Sequence, residues 1–236
     1  MYKNLKEINT GRGFLTLPKI DNDVMDFISL AIKETLDELI IKNQLNKNIH
    51  CKGIDSYKYL SNDEWTSILN KSSRSFKKKY AIPISNFFKK YLEKMLNSEI
   101  EFSDELSFGF PCLSFRIIRP LNENDIGSLH ADQWFIDIGV TPIRKAKIKS
   151  QLLKFWMPIE VEAETSNLLL IPNSHKDKNK YEYELIKTNN GIKPLIINNF
   201  NKNQIYMIKN KNGYPLIFNM NLIHGGAINK SKNCRV

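Results

Sequence analysis

The sequence predicts an α+β chain with a mainly β core, in which a helical first part supports a second part built from short strands. Two observations carry this. Before Phe102, apolar residues recur at helical spacing over successive segments. After it, the chain breaks into short runs rich in β-branched and aromatic residues, separated by turn-rich pieces such as Leu121-Asn122-Glu123-Asn124-Asp125. Roughly eight such runs without long helices between them indicate a sandwich or jelly roll.

The first residues, 1–20, read as a lead-in with a strand around 13–18. Residues 21–43 form an amphipathic helix, with Val24, Phe27, Ile28, Ala31, Leu36, Leu39 and Ile40 on one side and Asp21 or Asn22 as cap. Ser61-Asn62-Asp63-Glu64 matches a capping box and opens a helix with Trp65, Ile68 and Leu69 inward. Pro83 suits the first turn of a third helix running to Leu96, which buries Phe87, Phe88, Tyr91, Leu92 and Met95. These aromatic stripes are core positions. Strands are expected at 112–119, 152–159, 167–171, 193–197, 204–208 and 215–219. There is no internal repeat and no low-complexity linker. Residues 1–236 therefore read as one domain, with 1–101 as helical support and 102–236 as the core.

Composition narrows the class. An apolar content of 42% suffices for a sizeable core, and a charged fraction of 25% argues against disorder. No apolar run approaches the length of a membrane span. Residues 1–7 lack the apolar centre of a signal peptide, and Cys51, Cys112 and Cys234 are odd in number and widely spaced. They are expected to be free thiols, which places the protein in a reducing cytoplasm. The net charge of +10 would draw an anionic partner, such as a phosphorylated or nucleotide-linked molecule or an acidic sugar. Individual clusters, such as Lys77-Lys78-Lys79, read as solvated surface. No motif for nucleic-acid binding is present, and none is expected as a partner.

The residues that carry chemistry are His130-Ala131-Asp132 and the distant His224. Two imidazoles and one carboxylate are the ligand set of a facial triad that holds Fe(II) and leaves positions open for a cosubstrate and O₂. His and Asp at i and i+2 on a strand point to the same side and can reach one metal. His224 follows the apolar stretch 215–218 and precedes Gly225-Gly226, a plausible strand delivering a ligand and then turning. Arg235 trails His224, and its planar guanidinium suits a carboxylate.

Further residues extend the pattern. Phe155-Trp156-Met157-Pro158-Ile159 leads to Ser166-Asn167-Leu168-Leu169-Leu170-Ile171-Pro172-Asn173-Ser174-His175-Lys176. Together with His130-Ala131-Asp132-Gln133-Trp134-Phe135, this resembles the phytanoyl-CoA dioxygenase-like branch of the Fe(II)/2-oxoglutarate oxygenases, over about half of the chain. Asn167 and Asn173 stand where that family usually has glycine; Asn tolerates a positive φ, so the second change is mild. The resemblance implies a double-stranded β-helix, the jelly-roll form of the cupins, with Fe(II) bound by His130, Asp132 and His224. It implies 2-oxoglutarate as cosubstrate, chelating the metal and pairing its distal carboxylate with Arg235, with O₂ consumed and a small molecule hydroxylated. A carboxylate ligand separates such hydroxylases from related halogenases.

Other site residues are expected from position. Arg116 and Arg119 lie on one strand with opposite parity, so one faces the pocket, toward the cosubstrate or an anionic substrate. Gln133 and Trp134 are candidate substrate contacts, although Trp134 is equally suited to packing. Asn219 is a candidate for orienting the cosubstrate. His175 reads as structural. Two competing readings remain: a jelly-roll binding module without catalysis, and another cupin-type metalloenzyme. The complete His/Asp/His set argues against the first, and Arg235 against the second.

Overall fold

The computed structural model describes residues 3–45, 52–68, 74–140, 151–177, 180–188, 191–197 and 200–236. In chain order its elements are α1 (Lys3–Asn9), β1 (Phe14–Thr16), α2 (Asn22–Lys42), α3 (Asn62–Ile68), α4 (Lys78–Leu96), α5 (Asp132–Asp137), β2 (Leu153–Trp156), β3 (Leu168–Leu170), β4 (Tyr183–Thr188), β5 (Gly191–Ile196), β6 (Tyr206–Met207), β7 (Leu216–Asn219) and β8 (His224–Gly226). His50, Cys51 and Leu69 lie outside the described residues. No helix among the described residues is long and apolar enough to cross a membrane.

The core is mainly β and antiparallel. One sheet has the order β1-β7-β2, a second β6-β3-β8, and β4 pairs with β5 in a hairpin. β7 is the middle strand of the first sheet, and Leu216, Ile217 and Phe218 are all buried. Such a run is expected where both faces of a sheet are covered. Ile217 packs against Ile8, Leu92 and Leu96 of the helical layer. Leu216 and Phe218 point the other way, into a cluster with Leu168 and Leu170 of the second sheet and Leu222 just before β8. The layers are thus helices, first sheet, second sheet. Beyond the second sheet, Ala131, Trp134, Ile171, Tyr181 and Ile223 form a further apolar cluster.

The helical part is anchored to this core. Thirty-odd ångströms of α2 are explained by its length alone, about 1.5 Å per residue over 21 residues. Its buried side, Ile28, Ala31, Ile32, Leu36 and Ile40, joins a cluster with Phe88 of α4 and with Phe115, Ile117, Cys234 and Val236 of the second half. The capping box forms: Ser61 N donates to Glu64 Oε2 at 2.8 Å, and Glu64 N donates to Ser61 Oγ at 3.3 Å.

The fold departs from the sequence expectations at several places. Residues 3–9 are helical, and α4 starts at Lys78 with Pro83 inside it. Proline removes one helical N–H, but Tyr80, Ala81 and Ile84 bury on the same side, so packing carries the helix through. The expected strand at 112–119 is paired only at isolated bridges, Ser75 with Ser114 and Ile118 with Arg235. Glycines 225 and 226 lie within β8 rather than in a turn after it.

Candidate metal centre

The site forms where the chain crosses between the two sheets. β8 pairs with β3 on one side, Leu170 opposite His224. On its other side His224 bridges His130, with reciprocal backbone hydrogen bonds of 2.9 Å. Ala131 remains extended (φ −103°, ψ 136°), and Asp132 then opens α5. The expected strand spacing holds through Ala131, but Asp132 is the first residue of a short helix. The extended residue between them still turns both side chains to one side.

His130, Asp132 and His224 each offer a ligand atom, and these atoms all lie within 4.8 Å of one another. Nε2 of His130 is 3.7 Å from Asp132 Oδ1, and Nε2 of His224 is 3.6 Å from Asp132 Oδ2. Each imidazole is fixed from behind: His130 Nδ1 lies 2.6 Å from the Ser128 carbonyl, and His224 Nδ1 lies 3.0 Å from the Leu222 carbonyl. A proton on Nδ1, donated to those carbonyls, leaves Nε2 as a free lone pair, which is the tautomer a metal needs. Burial pushes His224 down to about 4, against the pull of Asp132, so it is neutral near pH 7. Burial alone would raise the Asp132 carboxyl, but Lys154 first and then the two imidazoles hold it well below the usual carboxylate range. Asp132 Oδ2 is buried and has no hydrogen-bond partner. A buried carboxylate oxygen without a hydrogen bond, drawn toward the Lys154 ammonium and facing two imidazole Nε2 atoms, fits a cation. Iron suits this donor set.

Rings and cations surround the triad. Phe135 lies edge-on to His130 at 5.3 Å, and Phe218 lies 4.7 Å from the His224 ring. Lys154 pairs with Phe218 across β2 and β7, so both side chains enter the space between the sheets. Lys154 Nζ reaches 3.5 Å from Asp132 Oδ2, and Asp132 raises its pKa. The sequence reading missed Lys154. Its signal was present: a lysine on the inward side of the otherwise apolar strand Leu153-Lys154-Phe155-Trp156.

Arg235 is buried, and burial, with help from Arg116, lowers it to about 10. Its Nη1 donates to the Asn167 carbonyl at 2.6 Å. Its neighbours Cys234 and Val236 face the helical layer, so Arg235 faces inward with the triad. Gly226 shares a face of β8 with His224, and a Cβ built on it would lie 3.3 Å from Arg235 Nη2. Arg116 has the same parity as Ile118, the bridge partner of Arg235. A Cβ on Gly127 would lie 3.1 Å from Arg116 Nη1 and 3.7 Å from His130 Cε1.

The remaining expected site residues are placed otherwise. Arg119 is closed on both oxygens of Asp125, by Nε to Oδ2 and Nη2 to Oδ1 at 2.7 Å each, and its Nη1 donates to Asn62 Oδ1 at 2.6 Å. It braces α3 against the core. Trp134 is buried and stacks on Tyr183 at 4.4 Å, so it holds the β4–β5 hairpin on α5. Gln133 Nε2 donates to Asp137 Oδ1 at 2.8 Å along the same helix. Asn219 lies on the opposite face of β7 from Phe218, and its Oδ1 accepts from Asn221 N at 3.0 Å. It shapes the turn that leads to His224. His175 is buried with Nε2 3.1 Å from the Asn9 carbonyl, a structural position as expected. Cys234 is buried beside Tyr57.

No family model and no curated sequence matches the chain. Among solved structures, ThoJ, a non-heme monooxygenase in its apo form, shares the fold at a TM-score of 0.57 and 9% identity, over 98% of this chain and 73% of that one. AviO1 from Streptomyces viridochromogenes Tue57 aligns at a TM-score of 0.46 and 9% identity, over 100% of this chain and 92% of its own. At these identities the likeness concerns the path of the chain. The fold and site together define a mainly antiparallel β protein with a two-histidine, one-carboxylate cluster between its sheets.

Proposed function

We propose that this chain is a non-haem Fe(II)/2-oxoglutarate-dependent oxygenase that hydroxylates a small metabolite, and that its two sheets form a double-stranded β-helix. The observation that carries this is the convergence of His130, Asp132 and His224, with inward-facing Arg235 beside the Gly226 position on the same face of β8. The fold shared with a non-heme monooxygenase supports it.

Iron bound there would supply the oxidising chemistry, coupling O₂ and 2-oxoglutarate to a C–H bond of the substrate. The protein does the rest by placement. The carbonyls of Ser128 and Leu222 hold both imidazoles with Nε2 forward. Asp132 supplies the single anionic ligand. Nη2 of Arg235 is offered to the distal carboxylate of 2-oxoglutarate, while Nη1 stays fixed on Asn167. Gly226 leaves room for that contact. Phe135 and Phe218 flank the imidazoles and keep bulk water from their outer faces. The test is formation of succinate from 2-oxoglutarate, with Fe(II) and O₂ supplied. Wild type is expected to form it slowly alone and faster with the right substrate, whereas Asp132→Ala forms none.

A further inference from the structure

We infer that the pocket beside the triad takes a doubly negative oxyanion of the substrate, in the simplest case a phosphate ester, on Arg116 with Lys154 beside it. This rests on the oxygenase reading above and names the substrate class of that same site.

Arg116 is the first observation. Its guanidinium makes no hydrogen bond and no ion pair among the described residues. The side chain is open to solvent, yet it is ringed closely enough by protein for burial to lower its pKa. A side chain projecting into an open cavity has both properties. A Cβ on Gly127 would come within 4 Å of both its Nη1 and the His130 ring, so the two border the same small gap. An unpaired guanidinium against a metal-ligand histidine is placed to meet whatever occupies the pocket.

Lys154 approaches from the opposite sheet, on the face that carries Phe218. The carboxylates that attract it are Asp132 and, more weakly, Glu105. A divalent ion on the triad would take up the charge of Asp132. Asp125, which also attracts Arg116, is already closed on both oxygens by Arg119. The Trp134–Tyr183 stack holds the β4–β5 hairpin against α5, and Lys193 of that hairpin is repelled by Arg116.

Charge balance then selects the ligand. The two carboxylates of 2-oxoglutarate are assigned to the metal and to Arg235. With a divalent ion on the triad taking up the charge of Asp132, Lys154 loses the nearer of its two carboxylates, and Arg116 has no ion pair among the described residues, so the two present positive charge to the same space. A phosphate monoester carries close to two negative charges at neutral pH. The flat guanidinium grips two of its oxygens, and the ammonium supplies a point charge to a third.

The experiment is calorimetric titration of the Zn(II)-loaded protein with inorganic phosphate and, separately, with 2-oxoglutarate at constant ionic strength. Phosphate binding should saturate in wild type, weaken by at least about tenfold in Arg116→Met and in Arg116→Gln, and persist in Lys209→Met. Arg235→Met should lose 2-oxoglutarate and keep phosphate; Arg116→Met should do the reverse. Singly charged acetate should compete at least about tenfold more weakly than phosphate. Phosphate binding untouched by Arg116→Met would place the anion on the metal alone and overturn the inference, as would acetate competing equally well. Arg116→Met losing 2-oxoglutarate instead of phosphate would make Arg116 the cosubstrate anchor, again overturning it but leaving the oxygenase reading intact. Failure of wild type to bind 2-oxoglutarate counts against that reading alone, because the phosphate measurements are made without it.

Discussion

Arg235 Nη2 lies 3.3 Å from where a Cβ on Gly226 would sit, on the face of β8 that also carries His224. A glycine, two residues beyond a candidate ligand, thus leaves open the space that this guanidinium borders beside the candidate metal centre. The same Cβ would lie 3.2 Å from Ile126 Cβ, an atom fixed to the backbone that cannot swing aside, so the Arg235 guanidinium would be the group to give way.

Gly226→Ala should therefore weaken 2-oxoglutarate binding by about tenfold, or ~1.4 kcal/mol, with little change in metal affinity. Arg235→Lys keeps the charge but loses the planar fork, and should weaken it further. Equilibrium dialysis of metal and of 2-oxoglutarate separates the two effects. Metal affinity that falls in parallel in both variants would mean that the Gly226 gap serves the triad and not the cosubstrate.

The Arg119–Asp125 pair is a stability element. Its side chains are 8% and 10% exposed, so removal of one partner strands a buried charge. Asp125→Ala should cost about 3–5 kcal/mol in urea unfolding. Replacing both residues with apolar ones should cost less than Asp125→Ala alone. A loss below ~1 kcal/mol in the single variant would show that water reaches the guanidinium.

Much of this was legible in the sequence because it depends on local spacing. The i, i+2 relation of His130 and Asp132 survives the switch from strand to helix, since it needs only an extended Ala131. The period of α2 and the capping box at Ser61 needed no knowledge of the fold. That Arg119 is held by Asn62 and Asp125 was not legible, because those partners reach it only through the tertiary fold. The face that Asn219 takes was not legible for a related reason: alternate spacing toward His224 says nothing about which side of β7 faces the second sheet. Tyr183–Thr188 carries exposed Glu184, Leu185 and Lys187, so its strand lacks an apolar signature.

Asn173 adopts φ +67°, the left-handed conformation expected for a residue standing in a glycine position. Asn173→Gly should change stability by no more than about 0.5 kcal/mol, whereas Asn173→Val should cost more than about 1 kcal/mol. Thermal unfolding of the two variants checks this. Equal stability would mean that the turn preceding His175 relaxes out of that conformation.

His175 supplies a pH dependence. Burial lowers its pKa, and its Nδ1 is buried without a hydrogen-bond partner. The unfolded chain takes up a proton on this residue below about pH 6.5, while the folded protein resists it. This stability is therefore fully present above that pH and is lost progressively as pH falls from there through the lowered folded pKa. The drop in urea midpoint between about pH 7.5 and 5.5 should be smaller in His175→Gln than in wild type. Parallel curves would assign the acid sensitivity to other groups.

The central claim is that His130, Asp132 and His224 together bind Fe(II) in a form that 2-oxoglutarate can chelate. Anaerobic addition of 2-oxoglutarate to Fe(II)-loaded protein tests it most directly. Wild type should develop a weak visible charge-transfer band that saturates at one 2-oxoglutarate per chain, and His224→Ala should develop none. A wild-type protein that binds Fe(II) yet gives no band at saturating 2-oxoglutarate, or a His224→Ala variant that gives the same band, would contradict the account.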